Sequence, residues 1–207
     1  MEFPVPGLTN DSGAIMIGAD GNLWFNEYNG NRIGRMTLAG VVTEFPVPTA
    51  SAGIGGCALA SDQHLWCTEI NASQLARVAT DGTITELPAL ASSRPSLIII
   101  GPDGGLWIAE FYAGIDSGRI ASVTLAGQVT ELTPRNLSTS NLTSGPDGSI
   151  WFVENSGNYL GRISLGGTVD RFMPPTTASG PLGIVTGPDG NLWFTEVSAG
   201  KIGRYTP

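Results

Sequence analysis

Five tryptophans divide the 207-residue chain at nearly equal intervals. They stand at positions 24, 66, 107, 151 and 193, so that consecutive tryptophans are 42, 41, 44 and 42 residues apart. Each follows a segment typical of a tight turn, such as Pro-Asp-Gly-Asn at residues 188–191, and each is followed three residues later by a glutamate. A period of this length indicates a repeat architecture rather than one irregular core.

Each repeat has the pattern of four short strands. In the last repeat, the Pro-Asp-Gly-Asn turn separates residues 183–186 from residues 192–195, and residues 201–204 complete a hairpin. Aromatic and β-branched residues favour strands, and Asp-Gly favours the positive φ angles of a two-residue hairpin turn. A further strand, such as residues 42–45, ends in a proline-rich connection. Four strands in one such period are typical of a β-propeller blade.

The two ends of the chain carry complementary parts of the repeat. Residues 1–6 match the outermost strand at residues 44–48, whereas the last repeat ends with its third strand at residues 201–207. Pairing the two ends would complete a fifth blade and cover exposed strand edges. We therefore predict one all-β domain over residues 1–207, a five-bladed β-propeller closed by its N-terminal strand. The alternatives are a fragment of a larger ring, or a partial ring completed by other copies.

Composition excludes several classes of partner. The net charge is -8, and only 10 basic residues are spread along the chain, which argues against nucleic acid and an anionic membrane surface. No apolar run has the length of a membrane span, and residues 1–7 lack the basic start and apolar core of a signal peptide. A cytoplasmic location and a monomer are favoured, with compartment and oligomeric state open.

Two cysteines, Cys57 and Cys67, are too few for a disulfide framework. If Asp62-Gln63 forms a two-residue turn, Ala58 rather than Cys57 faces Cys67 across the hairpin. We therefore expect two free, buried thiols.

The glutamates that follow the tryptophans each end a second strand, on a rim where loops from all blades would converge. Together they could hold a hard divalent cation or bind a cationic partner. The alternative is a structural ion pair within each hairpin, with Glu27 facing Arg32 and Glu196 facing Lys201. Gln74 and Tyr159 take the place of the basic residue in two other repeats.

Two further features bear on a site. The third repeat carries an insertion at residues 111–118, with Phe111, Tyr112 and Asp116 as candidate binding residues; a tolerated insertion is the alternative. His64, the single histidine, lies in a turn, where a solvated structural role is favoured over a base or metal ligand. The pairs Trp24–Arg35 and Trp193–Arg204 should stack across their hairpins.

The motif Gly-Pro-Asp-Gly-Asn-Leu-Trp-Phe-Thr-Glu at residues 187–196 is followed by Lys-Ile-Gly-Arg at residues 201–204. Together with Thr-Glu-Phe-Pro-Val-Pro at residues 43–48, it resembles the virginiamycin B lyase (streptogramin lyase) family of propellers. The resemblance extends through all five repeats. It implies linearisation of cyclic depsipeptide antibiotics by C–O bond elimination, with Mg²⁺, glutamates and a histidine base. The family's rings look seven-bladed, whereas this chain has residues for five.

The family's histidine lies in a Pro-His-Gly-Ile type of segment, just before an innermost strand. The matching positions here hold glycine, serine or leucine, namely Gly13, Gly55, Ser96, Ser140 and Leu182. None of these side chains takes up a proton near neutral pH. Leu182 stands in a Pro-Leu-Gly-Ile segment that otherwise keeps the motif.

The sequence therefore favours a binding or scaffold propeller with no certain cofactor, Mg²⁺ being implied by the resemblance alone. Its ligand would be a small molecule or peptide at the channel mouth, contacting Glu27, Glu69, Glu110, Glu154, Glu196, Phe111, Tyr112 and Asp116. One alternative is a C–O lyase acting on type B streptogramins with a divalent metal, and hence a role in antibiotic resistance. The other is a shortened or engineered propeller of mainly structural interest.

Overall fold

The computed structural model describes residues 2–5, 12–87, 90, 93–111, 118–132 and 137–207. The chain divides into two compact units, residues 1–98 and residues 99–207. In these described residues the regular structure consists of strands, apart from one 3-10 turn at Val197–Ala199. The described residues contain no helix long and apolar enough to cross a membrane.

The strands form five antiparallel sheets, each built from consecutive strands of one repeat. The first sheet has β1 (Ser12–Ile17), β2 (Leu23–Glu27), β3 (Arg32–Met36) and β4 (Val42–Pro46), and the second has β5 (Ile54–Leu59), β6 (Leu65–Glu69), β7 (Gln74–Val78) and β8 (Ile84–Leu87). The third has β9 (Arg94–Ile100), β10 (Leu106–Phe111), β11 (Gly118–Val123) and β12 (Val129–Glu131). The fourth has β13 (Thr139–Ser144), β14 (Ile150–Glu154), β15 (Tyr159–Ile163) and β16 (Val169–Phe172), and the fifth has β17 (Pro181–Thr186), β18 (Leu192–Glu196) and β19 (Lys201–Tyr205).

The turn before each second strand fixes that strand's tryptophan. The indole N–H donates to an aspartate four residues earlier, as from Trp151 to Asp147 at 2.9 Å. A Cβ added at Gly145 would lie 2.2 Å from Cδ1 of Trp151, so this position requires glycine. All five tryptophan–aspartate pairs are present, at 2.9 Å (Trp24–Asp20), 3.4 Å (Trp66–Asp62), 3.1 Å (Trp107–Asp103), 2.9 Å (Trp151–Asp147) and 3.1 Å (Trp193–Asp189).

These turns contain three residues rather than the predicted two. In the first sheet, the amide of Gly18 donates to the carbonyl of Asn22 at 2.9 Å, and Gly21 takes a positive φ of 74°. One αL residue in a three-residue loop is a common hairpin solution. The extra loop residue shifts the strand pairing by one position relative to a two-residue turn.

That shift overturns the expectation of two free thiols. In the second sheet Gln63 is the αL residue, with φ 64°. Ala58 therefore faces Trp66, and Cys57 faces Cys67 directly. The two cysteines form a disulfide between β5 and β6.

The cation–aromatic pairs predicted from the sequence are confirmed. The Arg35 guanidinium lies 5.7 Å from the ring centroid of Trp24, and Arg204 lies 5.7 Å from that of Trp193. In the third sheet Ser122 faces Trp107, in the place of the arginine.

The apolar core lies between neighbouring sheets of each unit. In the first unit, Trp24 and Ile33 of the first sheet pack with Leu65 and Ala76 of the second. In the second unit, Trp151, Val153 and Leu160 of the fourth sheet pack with Ile184, Leu192 and Phe194 of the fifth. Each sheet therefore has two chemically distinct faces, one bearing the tryptophan and one bearing smaller apolar residues.

The fifth sheet has three strands. Residues 2–5, which the sequence predicts to supply its fourth, form no strand in the structure. Phe3 instead lies against Gly40, where an added Cβ would stand 2.1 Å from the Phe3 ring. The predicted pairing of the N-terminal segment with the last sheet is thus not among the strand pairings of the described residues.

Candidate functional site

The five glutamates occupy one equivalent position in the five sheets. Each ends a second strand and faces the first residue of the third strand, in the pairs Glu27–Arg32, Glu69–Gln74, Glu110–Arg119, Glu154–Tyr159 and Glu196–Lys201. All five side chains are buried, with at most 3% of their surface exposed. A buried carboxylate is costly unless a cation or hydrogen bonds compensate it, so the neighbours of each one decide its state.

In the first sheet, an arginine bridges two glutamates. Arg32 Nη2 lies 2.9 Å from Glu27, and its Nη1 lies 3.2 Å from Glu44 on the outer strand β4. Burial nevertheless raises the pKa of Glu27, against the lowering effect of Arg32. This cluster has the order Glu–Arg–Glu across strands β2, β3 and β4.

The second sheet has the same three positions but lacks the cation. Gln74 replaces the arginine and donates to Glu69 at 2.6 Å and to the hydroxyl of Thr49 at 3.1 Å. Glu86 on β8 accepts from the Thr49 amide at 2.6 Å and from its hydroxyl at 2.9 Å. Burial, with a further contribution from neighbouring Glu86, raises the pKa of Glu69 to about 7, although the hydrogen bond from Gln74 opposes the shift.

The third sheet again has an arginine between two glutamates, and this arginine is more deeply buried than Arg32. Arg119 on β11 is 1% exposed, and its Nε contacts the Glu110 carboxylate. Its Nη1 lies 2.5 Å from Glu131 on β12. The order Glu–Arg–Glu is the same as in the first sheet.

In the fourth sheet, the arginine that contacts the glutamate lies on the outer strand. Arg171 on β16 donates to Glu154 through Nε at 2.7 Å and through Nη2 at 3.1 Å. The guanidinium also lies 5.8 Å from the ring centroid of Tyr159, which faces Glu154 on β15. Arg171 stands at the sheet position that Glu44, Glu86 and Glu131 occupy elsewhere, because it faces Gly161 as Glu44 faces Gly34.

The fifth sheet departs from the sequence expectation. Glu196 and Lys201 face each other in the strand register, but no ion pair joins them within the described part of the chain. The Lys201 ammonium lies 3.5 Å from the hydroxyl of Thr176 instead. The predicted ion pair between Glu27 and Arg32 is confirmed. The predicted ion pair between Glu196 and Lys201 is wrong, although the two residues face each other across the strands.

This arrangement suits structural ion pairs better than a divalent cation. A hard cation takes several oxygen ligands, and the described residues contain no group of three or more side chains able to hold a metal. The carboxylates of Glu27, Glu110 and Glu154 are each contacted by an arginine. The glutamates in the described part of the chain therefore do not fit Mg²⁺, the metal that the resemblance implies.

The positions matched to the family's histidine lie in the first strands of the sheets. Four of these strands break register there, between Ser12 and Ile15, Ile54 and Cys57, Thr139 and Asn141, and Pro181 and Ile184. Such bulges re-aim side chains near the start of a strand. The bulge positions include Gly13, Gly55, Ser140 and Leu182, and none of them supplies a base.

Of the remaining candidates, Phe111 ends β10 opposite Gly118 and is half-buried. Tyr112 and Asp116 lie outside the described residues. His64 lies in the turn before β6, at the other end of that strand from Glu69, and its Nδ1 is 2.7 Å from the carbonyl oxygen of Asp62. It is thus held within its turn.

Sequence reasoning missed the contribution of the outer strands. Glu44, Glu86, Glu131 and Arg171 all stand in these strands and all lie within the carboxylate clusters. The sequence did offer a signal, because these charged residues recur at one position of the outer strand, next to the strand that carries the arginine position.

The sequence and the structure were compared with known proteins. The model of the Virginiamycin B lyase family matches residues 1–133 and 90–207. A virginiamycin B lyase of Nocardia farcinica is 36% identical over 172 residues, which are 83% of this chain and 43% of that protein. This chain therefore spans less than half the length of that curated relative.

Two solved structures of Staphylococcus aureus virginiamycin B lyase share the fold. One is 34% identical with a TM-score of 0.87, covering 100% of this chain and 70% of that one. The other, a catalytically inactive His-to-Ala variant with quinupristin, is 30% identical with a TM-score of 0.83, covering 100% and 73%. With a family model matching along its whole length and five blade-like sheets, this chain is an all-β propeller protein that belongs to the virginiamycin B lyase family.

Proposed function

We propose that this chain is a binding scaffold of the propeller type, without lyase activity of its own. One observation carries the proposal. At the five positions where the family resemblance implies a histidine, the chain has glycine, serine or leucine, and its single histidine is held in a turn at the other end of its strand. C–O elimination needs a group that removes a proton, and these positions offer none.

The proposed ligand is a cyclic depsipeptide or a peptide of similar shape. The Staphylococcus aureus structure with quinupristin belongs to a catalytically inactive histidine variant. In that protein, loss of the histidine is compatible with a bound ligand. A member of the family that has no histidine at this position could likewise bind such a ligand without cleaving it.

The proposed contact region is the end of the blades at which the second strands finish. The glutamates there are buried, which supports a role in fixing the ends of the strands. Direct contacts would come from half-buried Phe111, from Tyr112 and Asp116 of the insertion, and from exposed Leu182. An aromatic and an aliphatic group beside polar backbone suit a ligand with apolar side chains.

Equilibrium dialysis with quinupristin, followed by mass analysis of the compound, tests this function. We expect binding that Phe111→Ala weakens and Leu165→Ala, in an exposed turn of the fourth sheet, leaves unchanged. The recovered compound should keep its cyclic mass with and without Mg²⁺. Linearised product that disappears with Glu69→Gln or on chelation would instead establish a lyase, and absence of binding would remove this ligand class.

A second part of the proposal concerns the last sheet. We propose that residues 2–5 supply its fourth strand, because Glu2-Phe3-Pro4-Val5 repeats Glu44-Phe45-Pro46-Val47. Ring closure requires this strand from the same chain, whereas a partial ring would take it from another copy.

A further inference from the structure

Arg94 is a basic residue without a partner in an acidic chain. The chain has 18 acidic and 10 basic residues, so carboxylates outnumber cations. Three arginines contact the buried glutamates, and three contact the aspartates of the turns. Arg94 is exposed, and no carboxylate, hydrogen-bond acceptor or aromatic ring contacts it in the described part of the chain. Its charge therefore has no role in the packing that the structure describes.

The repeat does not require a cation at this position. Arg94 stands nine residues before Asp103, the aspartate of its turn. The residues nine before the turn aspartates of the second and fifth repeats are glycines, Gly53 and Gly180. Those two repeats form their first strands with no side chain there. The guanidinium is thus an addition that the formation of the blade does not explain.

The position of Arg94 puts its charge at the proposed contact region. Arg94 is the first residue of β9, the strand that begins at the glutamate end of its sheet. Ser96, two residues further along, is one of the positions matched to the family's histidine. Ser96 is half-buried, and its hydroxyl has no hydrogen-bond partner among the described residues. The start of β9 therefore offers a free cation and a free hydroxyl.

The second sheet holds the backbone at the start of β9. A Cβ added at Gly56 would stand 2.9 Å from the Ser96 carbonyl oxygen, so the two segments are in close contact. The Thr68 hydroxyl donates to the same oxygen at 3.3 Å. Arg94 is therefore an exposed side chain on a fixed backbone, and binding a ligand would order only the side chain.

The second sheet also adds apolar and amide groups to this end of the strands. Ile70 is half-buried and lies over Gly55, where an added Cβ would stand 2.8 Å from its Cδ1 atom. Exposed Asn71 accepts a hydrogen bond from the half-buried Tyr28 hydroxyl at 3.2 Å. The segment 53–56 contacts these groups as well as Ser96. We call this surface the arginine rim, which consists of Tyr28, Ile70, Asn71, Arg94 and Ser96.

The chemistry of the arginine rim suits a peptide with a free carboxylate. A planar guanidinium can donate two parallel hydrogen bonds to a carboxylate, and these charge-assisted bonds are among the strongest in proteins. One cation also balances the single charge of that group. Tyr28 and Ile70 offer apolar surface for the side chains of a peptide, and Asn71 and Ser96 offer polar groups for its backbone.

We propose that Arg94 binds the free carboxylate of a linear peptide, so that the ligand of this propeller is a ring-opened depsipeptide in preference to the closed ring. The inference rests on the proposed function, because it specifies the form of the same ligand. Opening the ester of a cyclic depsipeptide creates a carboxylate that the closed ring lacks. Arg94 is then the residue that distinguishes the two forms.

Equilibrium dialysis with three forms of quinupristin tests this role. The forms are the intact ring, the linear acid made by hydrolysis of its ester, and the linear amide made by capping that acid. Wild type should bind the linear acid about tenfold more tightly than the linear amide, because the amide lacks the charge that the guanidinium recognises. Since Arg94 is exposed, added salt should reduce this preference.

Variants assign the preference to one side chain. Arg94→Gln should bind the acid and the amide equally, with the melting temperature of wild type. Arg94→Lys should keep part of the preference, because lysine retains the charge but not the paired hydrogen bonds. Arg204→Gln is the matched control, since it removes another exposed arginine, which faces Trp193 away from the glutamate end of its hairpin. It should prefer the acid as wild type does.

Several results would overturn the proposal, and they separate it from the proposed function. If wild type binds the acid and the amide equally but still binds the intact ring, Arg94 has no such role and the proposed function stands. If none of the three forms binds, both fail. Displacement of the linear acid by inorganic phosphate would indicate a general anion site. Equal losses of the preference in Arg204→Gln and Arg94→Gln would assign it to net charge.

Discussion

The side-chain amide of Gln74 donates a 2.6 Å hydrogen bond to Glu69 at the position where Arg32 contacts Glu27 in the first sheet. One residue thus converts a cluster with a central cation into one with two carboxyl groups and a neutral amide. Burial raises the pKa of Glu69 to about 7, so this carboxyl is protonated in the folded state at mildly acidic pH. In the unfolded chain it titrates near its ordinary value of 4.5.

The raised pKa makes stability fall with rising pH. The folded state binds the proton more tightly than the unfolded state, so the stabilising contribution is complete below pH 4.5 and is lost as the pH rises through about 7. At about 1.4 kcal/mol for each pKa unit, the loss is at most about 3.5 kcal/mol. Chemical denaturation of wild type between pH 4.5 and 8 should show this decline.

Gln74→Arg should flatten that profile, because the arginine would bridge Glu69 and Glu86 as Arg32 bridges Glu27 and Glu44. Glu69→Gln is the matched control and should flatten the profile by removing the titrating group. His64→Gln is a second control, because His64 is the single histidine of the chain. A Gln74→Arg protein with the decline of wild type would show that Glu69 is not its source.

Arg119→Gln should be among the most destabilising single changes in the chain. The arginine is buried and contacts both Glu110 and Glu131, so its removal leaves a buried carboxylate without a cation. Breaking a buried pair in this way costs about 3–5 kcal/mol. Urea denaturation measures the change, and Arg94→Gln, at an exposed arginine, should alter stability by less than about 0.5 kcal/mol. Similar small effects of both substitutions would contradict the buried cluster.

Gly145→Ala should destabilise the fourth sheet. The added methyl would lie 2.2 Å from Cδ1 of Trp151, and the indole could yield only by giving up its bond to Asp147. Overpacking of this kind costs about 1–3 kcal/mol. Gly166→Ala is the matched control, because its added Cβ meets only the Ser164 hydroxyl at 3.9 Å. Equal melting temperatures for the two variants would refute the requirement for glycine at position 145.

Reduction of the Cys57–Cys67 disulfide should lower the melting temperature. The bond closes a sequence separation of 10 residues, which corresponds to a loss of about 2–3 kcal/mol on reduction. Mass analysis after alkylation should label neither cysteine of the unfolded, unreduced protein and both after dithiothreitol. A double Cys57→Ala, Cys67→Ala variant should be insensitive to the reductant. Labelling of the unreduced chain would restore the expectation of free thiols.

The strand pattern was predictable because it repeats. The period of the tryptophans placed five hairpins correctly, and cross-strand partners such as Trp24–Arg35 followed from counting outward from a four-residue loop. The same counting failed for Cys57 because it assumed two residues in the turn. A single αL residue at Gln63 changes the loop length by one, and nothing in Asp-Gln marks that choice.

The carboxylate clusters were predictable only in part. Glu27–Arg32 followed from the hairpin alone, since both residues belong to adjacent strands. Arg171 reaches Glu154 from two strands away, and the sequence does not show which side chain of an outer strand turns inward. The burial of the glutamates could not be predicted either, because a ring of exposed carboxylates and a set of buried carboxylates share one sequence pattern.

Arginine lies on different strands in the third and fourth sheets, and this difference affects which outer strand can pair with which sheet during folding. If β16 joined the third sheet, Arg171 would meet Arg119 and place two cations on the single carboxylate of Glu110. If β12 joined the fourth, Glu131 would meet Glu154 with no arginine between them. Repeat proteins are prone to strand exchange between similar units. The charges therefore disfavour the pairing of either outer strand with the wrong sheet.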